Sequence, residues 1–215
     1  MQIPPNSRKA GISLVEVLVL LLIISVLAFL LLPHLGRMVE KSRDSQCVAR
    51  LKNFHTGFML YSAEHNGEIP PYRVFTPLPD GTTHRGDFWS TQIKPYISPD
   101  APWGKHILCP SEKVLPSNHY AMNSNISYGP GMPPERLNSI PLPSKRFLMG
   151  DGNATSRITA GNFIAETMFR HSGDTMNILF LDGHVEGRIL RDVPIPANGF
   201  SSATPEYKAF WHGTQ

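Results

Sequence analysis

From Val17 to Leu32 every residue except Ser25 is apolar. Counted from Ile12, the stretch holds 21 residues, and about 20 cross a hydrocarbon core in a helix. Glu16 lies near one end. A charge in hydrocarbon costs at least ~2.5–3.5 kcal/mol, so such a residue has a partner and a task. From His34 to Asn66 there is no proline and the composition turns to mixed charge. Cys47, Leu51, Phe54, Phe58, Tyr61 and His65 recur at spacings of four and three, one face of a helix. That stripe is expected to pack on a globular domain, and Asn66-Gly67 supplies the left-handed stop. A helix from Ile12 to His65 would run about 80 Å at 1.5 Å per residue.

Beyond Gly67 the pattern shortens. Phe88-Trp89 with Ile93, Tyr96 and Ile97 predicts a helical turn, and Ile107-Leu108-Cys109-Pro110 a short strand or extended piece ending at a proline. Residues 116–144 are loop-rich, with Tyr120, Met122 and Tyr128 as anchors. Arg146 to Asp151 reads as a strand running into Gly150-Asp151-Gly152-Asn153. The clearest local signal runs from Met176 to Arg188. Two strand-like runs flank Asp182-Gly183, the dipeptide preferred by a two-residue type I′ turn, in which Asp182 takes a positive φ. The expected fold class is α+β: a long N-terminal helix packed on a small, loop-rich antiparallel sheet. The expected divisions are 1–11 leader, 12–33 membrane helix, 34–66 amphipathic continuation and 67–215 globular head.

Most of the 20 prolines and 17 glycines fall after Asn66, as a turn-rich head requires. The net charge is +3. Without Arg8 and Lys9, 18 basic residues face 17 acidic ones, a balance that argues against a nucleic-acid partner. For the N-terminus, a cleaved secretory signal lacks a small-x-small site after Leu32. A plain single-pass anchor explains the length but not Glu16. Lysine and arginine counted on both flanks (Arg8 and Lys9 before; Arg37, Lys41, Arg43, Arg50 and Lys52 after) favour the C-terminal side inside.

Gly11-Ile12-Ser13-Leu14-Val15-Glu16, after a basic leader, resembles the processing site of type IV prepilins and type II secretion pseudopilins. The resemblance implies a cut between Gly11 and Ile12 by prepilin peptidase on the cytoplasmic face, with N-methylation of the new first residue. The family usually carries phenylalanine after the glycine, and Ile12 departs from this. It further implies that Glu16 pairs with a neighbouring subunit's free amine during assembly, because a buried carboxylate without a cation costs several kcal/mol. Pro33 stands where many members have a helix-kinking proline. Arg170-His171 followed by Asp182-Gly183-His184 is similar to the C-terminal H-x9-DG motif of a large group of pilin-like proteins. Ten residues separate His171 from Asp182 here, one more than usual, which places a longer loop at Ser172-Gly173-Asp174. Cys47 with Asn53 and Tyr61, Trp89 to Tyr96, Leu108-Cys109-Pro110, and Tyr120 with Met122-Asn123 resemble the same group.

Other chemistry is sparse. Cys47 and Cys109 are a candidate disulfide clamping the head to the helix, worth about 4 kcal/mol of loop entropy. The alternative is two buried thiols packed as small hydrophobes. His171, His184, Asp174 and Asp182 are chemically adequate for zinc. The resemblance to pseudopilins, whose major members bind calcium near the C-terminal end, makes Asp151, Asn153, Asp174, Asn177 and Asp182 candidate oxygen donors for calcium, though no twelve-residue loop pattern appears. No established ligand spacing backs them, so no metal and no cofactor are expected. There is no nucleophile elbow or phosphate loop, and no enzymatic activity is expected. The expected function is a structural pilus or pseudopilus subunit. Its partners would be prepilin peptidase, the inner membrane and other pilin-like subunits, with the head outside the cytoplasm. The alternative is a membrane-tethered binding module that does not polymerise, with Trp89, Trp103 and Trp211 as platforms.

Overall fold

A computed structural model describes residues 13–77, 79–80, 83–100, 104, 106–112, 119–126, 135–152, 157–159 and 168–214. Gly11, Ile12, Trp103, Tyr128 and Asn153 lie outside them. The layout is α+β, and the chain forms two compact units, Met1–Val39 and Glu40–Gln215.

Helix α1 runs from Leu14 to Glu64. The helix continues through position 33, as a single helix from Ile12 to His65 requires. In the first unit, Leu14–Leu32 is 19 residues long and apolar enough to cross a membrane, and it is buried nowhere. At 1.5 Å per residue it reaches about 28 Å, close to the thickness of a hydrocarbon core.

The second unit begins at Glu40 and takes the C-terminal half of α1 into its core. Cys47, Leu51, Phe54 and Phe58 are buried, as the spacing predicts. The stripe changes at its end. His65 is exposed and stacks on Tyr61 with ring centroids 3.8 Å apart. Ser62 is buried in its stead and donates to the Glu68 carbonyl at 2.8 Å, fastening the chain as it leaves the helix. Asn66 and Gly67 then turn it with φ of 54° and 81°.

A two-stranded ribbon follows, β1 (Arg73–Pro77) paired with β2 (Thr83–Phe88), and leads into helix α2 (Trp89–Ile97). Gly57 of α1 meets α2 closely, since a Cβ there would lie 2.7 Å from Ile97 Cδ1. The head sheet contains β3 (Tyr120–Asn123), β4 (Phe147–Asp151), β5 (Arg157–Ile158), β6 (Thr175–Phe180) and β7 (Val185–Ile189). Its order is β5-β3-β4-β6-β7. The sheet is mixed rather than purely antiparallel, because β5 returns beside β3 in parallel. Helix α3 (Pro205–His212) closes the fold.

Both faces of the sheet are covered, which explains the continuous apolar runs in β3, β4 and β6. On one side Tyr120, Met122, Leu148 and Leu179 join Leu51, Phe54, Phe58 and Trp89. On the other, Ala121, Phe147, Met176, Ile178 and Phe180 join Tyr207, Phe210 and Trp211. The three layers are therefore α1 with α2, the sheet, and α3. Residues 107–110 form no strand. The backbone N–H of Cys109 donates instead to Nδ1 of His119 at 2.7 Å, so a side chain stands in for a ladder partner.

Candidate functional site

Glu16 sits in the first turn of α1, exposed among exposed leucines and valines. It makes no ion pair among the described residues. Among the described residues of Leu14–Leu32 it is the one charged side chain.

The head holds a buried polar cluster where the end of β4, the start of β6 and α1 converge. Asp151 is wholly buried. Its Oδ2 accepts from the Asn177 backbone N–H at 2.7 Å and lies 3.0 Å from Nε2 of His171. Its Oδ1 faces the Arg170 guanidinium at 3.2 Å. Arg170 also donates to the His119 carbonyl at 2.6 Å and pairs with Glu112 at 3.0 Å. Asp44 of α1 completes the set. It lies 3.2 Å from Nδ1 of His171 and accepts from Nδ2 of Asn177 at 2.7 Å. Burial pushes His171 toward the neutral form and Arg170 adds to that. The hydrogen bond and charge of Asp151, with Asp44, outweigh both and leave its pKa raised. Breaking a buried pair such as Arg170–Asp151 leaves an uncompensated charge, so the cluster is a costly and directional joint between α1 and the sheet.

Cys47 and Cys109 adjoin this joint. The structure joins them in a disulfide with Cα atoms 5.6 Å apart, and Cys109 Sγ is 3.8 Å from His171 Nε2. The bond ties α1 to the segment before β3 at the level of Asp44 and His171.

Asp182 and Gly183 lie beyond the other end of β6. The turn is not the expected two-residue type I′. Phe180 N–H donates to the His184 carbonyl and Gly183 N–H to the Phe180 carbonyl, enclosing Leu181, Asp182 and Gly183. Gly183 alone of these has a positive φ, 92°. This is a type I turn with glycine at the following left-handed position, a common three-residue hairpin loop. The extra residue arises because Leu181 is buried in the α1-facing core and joins the loop. The Asp182 carboxylate accepts from the His184 N–H at 3.2 Å and contacts its ring nitrogen. Nε2 of His55 on α1 is 3.0 Å from the Leu181 carbonyl.

The residues of the H-xn-DG pattern therefore do not meet. His171 bridges Thr175 at the start of β6, and Gly183 lies past its end, roughly 17–20 Å along the strand at ~3.4 Å per residue. On α1 their contacts, Asp44 and His55, are 11 positions apart, about 16–17 Å at 1.5 Å rise. The two ends of the pattern clamp the two ends of one strand to three turns of one helix. Of the zinc candidates, His171 is inside the joint, while Asp174 lies in an exposed turn with φ 52°. Asp182 and His184 sit at the far hairpin, so the four form no single site. Trp89 and Trp211 are fully buried core residues.

Sequence reading did not single out Asp44, His55, Glu112 or His119. Asp44 had an available signal, since it precedes Cys47 by three positions and extends the buried stripe by one step.

Beside α3, a groove of about 680 Å³ is floored by Pro194, Phe200 and Phe210, with Lys145 and Arg188 at its edge. The Arg188 guanidinium lies over the rings of Phe180 and Phe210, 5.2 and 5.4 Å from their centroids.

No protein-family model matches the chain, and no solved structure matches it. The chain is similar to the competence protein ComGC of Halalkalibacterium halodurans, with 34% identity over 62 residues. That match takes in 29% of this chain and 61% of the relative, so the chain spans about three-fifths of the length of the curated relative it matches. The likeness to ComGC is partial and distant, and among the described residues one N-terminal helix is long and apolar enough to cross a membrane.

Proposed function

We propose that the chain is a pilin-like subunit of a pseudopilus of the competence or type II secretion kind, and not an enzyme. Prepilin peptidase cuts between Gly11 and Ile12 and methylates the new amine, Leu14–Leu32 holds the subunit in the inner membrane, and assembly draws it into a filament. The observation that carries this reading is Glu16. It is a carboxylate in the first turn of an apolar, exposed membrane-length stretch, where a cation has to offset its desolvation and no described residue supplies one. The ammonium of a neighbour's Ile12 is such a cation, and the pair sets subunit register. The likeness to ComGC supports the same class. The Cys47–Cys109 disulfide supports a head in an oxidising compartment outside the cytoplasm, against the flanking basic residues.

Mass spectrometry of the mature chain is expected to find methylated Ile12 at the N-terminus, and an intact Met1 overturns the processing. Glu16→Ala is expected to leave the subunit in the membrane but abolish filaments, and unchanged filaments overturn the register role.

A second reading, a tethered binding module, is favoured by the groove beside α3, whose volume falls in the usual ligand range of about 300–1,000 Å³. Filament-free cells with a fully functional membrane-bound head would decide for it. Its aromatic platforms are not Trp89 and Trp211, which are buried.

A further inference from the structure

The sulfurs of Cys47 and Cys109 and a ring nitrogen of His171 all lie within 4.8 Å of one another, and all three residues are buried. In the oxidised chain the sulfurs are bonded to each other and supply no thiolate. We propose that the reduced chain holds one zinc-class divalent cation here, bound by Cys47 Sγ, Cys109 Sγ, His171 Nε2 and a carboxylate oxygen of Asp151.

Zinc takes sulfur at about 2.3 Å and nitrogen or oxygen at about 2.0–2.2 Å in a tetrahedron, whose S···N and N···O edges are then about 3.6 and 3.4 Å. Cys109 Sγ lies 3.8 Å from His171 Nε2, and Asp151 Oδ2 lies 3.0 Å from the same nitrogen. Two edges of the tetrahedron already stand near their final lengths. Rotation of the two freed cysteine side chains has to set the remaining four, which join the sulfurs to each other, Cys47 Sγ to the imidazole nitrogen and both sulfurs to the Asp151 oxygen.

The surroundings fit. Metal-binding histidines give their other N–H to a carboxylate, which fixes ring and tautomer. Asp44 stands 3.2 Å from His171 Nδ1 without a formed hydrogen bond in the oxidised chain and is itself held by Asn177, so a small turn of the ring on ligation would complete that pair. Asp151 is oriented by Arg170 and by the Asn177 N–H. The donor set of two thiolates, one imidazole and one carboxylate suits zinc and excludes magnesium or calcium.

The chemistry balances. A dithiol transfers two electrons and two protons to the Cys47–Cys109 bond and becomes a disulfide itself, leaving two thiols. Binding the cation then releases those two protons to solvent. The proton that His171 Nε2 shares with Asp151 is released too from an imidazolium ring, or moves to Nδ1 in a neutral one, which frees Nε2 to ligate. One site thus has two closed states, a covalent clamp when oxidised and a metal clamp when reduced. Both tie α1 to the segment before β3, so a subunit keeps the joint before its disulfide has formed.

The test uses the full chain in detergent with Co²⁺ as a spectroscopic probe, and a phosphine as reductant, which becomes its oxide as water supplies the two protons. The reduced chain is expected to take up one Co²⁺ with the visible bands and thiolate charge-transfer absorption of a tetrahedral site, and zinc is expected to displace it. The oxidised chain is expected to give no such bands. Asp44→Asn, which keeps the side chain's size, is expected to weaken Co²⁺ binding about 10- to 100-fold, and His171→Ala more. A reduced chain that gives no tetrahedral spectrum, folded or unfolded, overturns the site. So does affinity unchanged in both Asp44→Asn and His171→Ala.

Discussion

The ring of His55 rests on the backbone of Gly183: a Cβ at 183 would lie 2.7 Å from its Cε1. Gly183 also has φ 92°, which a side chain rarely adopts. The glycine is thus required twice, by its own conformation and by the helix beside it. Gly183→Ala is expected to cost about 1–3 kcal/mol from strain alone, read as a lower urea midpoint. Gly187→Ala is the control, because a Cβ there meets nothing nearer than 3.7 Å. Adding His55→Ala to Gly183→Ala is expected to cost less than the sum of the two, since one removes what the other strikes.

The disulfide closes a sequence separation of 62 residues, which chain entropy values at about 4 kcal/mol. Replacing Cys47 and Cys109 together by alanine is expected to lower the unfolding free energy of the head by up to that amount. Denaturation of the metal-free variant against the oxidised parent checks it. An unchanged midpoint would mean that the buried polar cluster alone fixes α1 to the sheet.

The elements read correctly from the chain were those with local periodicity. The stripe from Cys47 to Phe58 declares a helix face because its spacing needs no distant partner, and the β6–β7 hairpin declares itself through alternation around Asp182-Gly183. The same dipeptide serves two loops, however. Only the burial of Leu181 against α1 selects the three-residue loop, and that burial is tertiary. The extended look of Ile107 to Pro110 misled for a similar reason, since its acceptor is the ring of His119 rather than a neighbouring strand. The polar joint was legible only in fragments. Asp44, Glu112, Asp151, Arg170, His171 and Asn177 come from five separate stretches, and nothing local pairs them. The parallel return of β5 was hidden likewise, as a two-residue strand carries no period.

Arg170 is nearly buried between Glu112 and Asp151, its side chain 6% exposed. Arg170→Met is expected to destabilise the head by about 3–5 kcal/mol, because it takes the guanidinium from Asp151 and Glu112 and leaves His171 as the one described cation beside the buried Asp151. Chemical denaturation measures the loss. Asp151→Asn on top of Arg170→Met is expected to recover part of it, whereas a simple loss of packing would not be recovered.

Tyr96 of α2 donates to Glu64 at the end of α1 at 2.6 Å. That bond, then burial and the Glu64 charge, push the Tyr96 pKa up to about 12 from 10.0. Since the folded pKa is the higher one, the stabilisation is present in full below pH 10 and is lost as pH rises through about 12. The pair is at the surface, so its contribution is at most about 1 kcal/mol. Ultraviolet titration of the phenol is expected to show one late-titrating tyrosine attributable to this pair. Glu64→Gln is expected to bring its midpoint back toward 10.

On the proposed function, membrane retention and assembly are expected to separate within α1. Ile23 lies at the centre of Leu14–Leu32 and Glu16 in its first turn. An aspartate at the middle of a spanning helix costs about 2.5–3.5 kcal/mol on insertion scales. Ile23→Asp is therefore expected to reduce the membrane-bound fraction on carbonate extraction by tenfold or more. Glu16→Gln removes the charge without adding polarity at the centre, so extraction is expected to leave it bound as firmly as the parent. Its defect is expected in cross-linked oligomers alone. Equal loss of membrane binding in both variants would mean that Glu16 acts in insertion rather than between subunits.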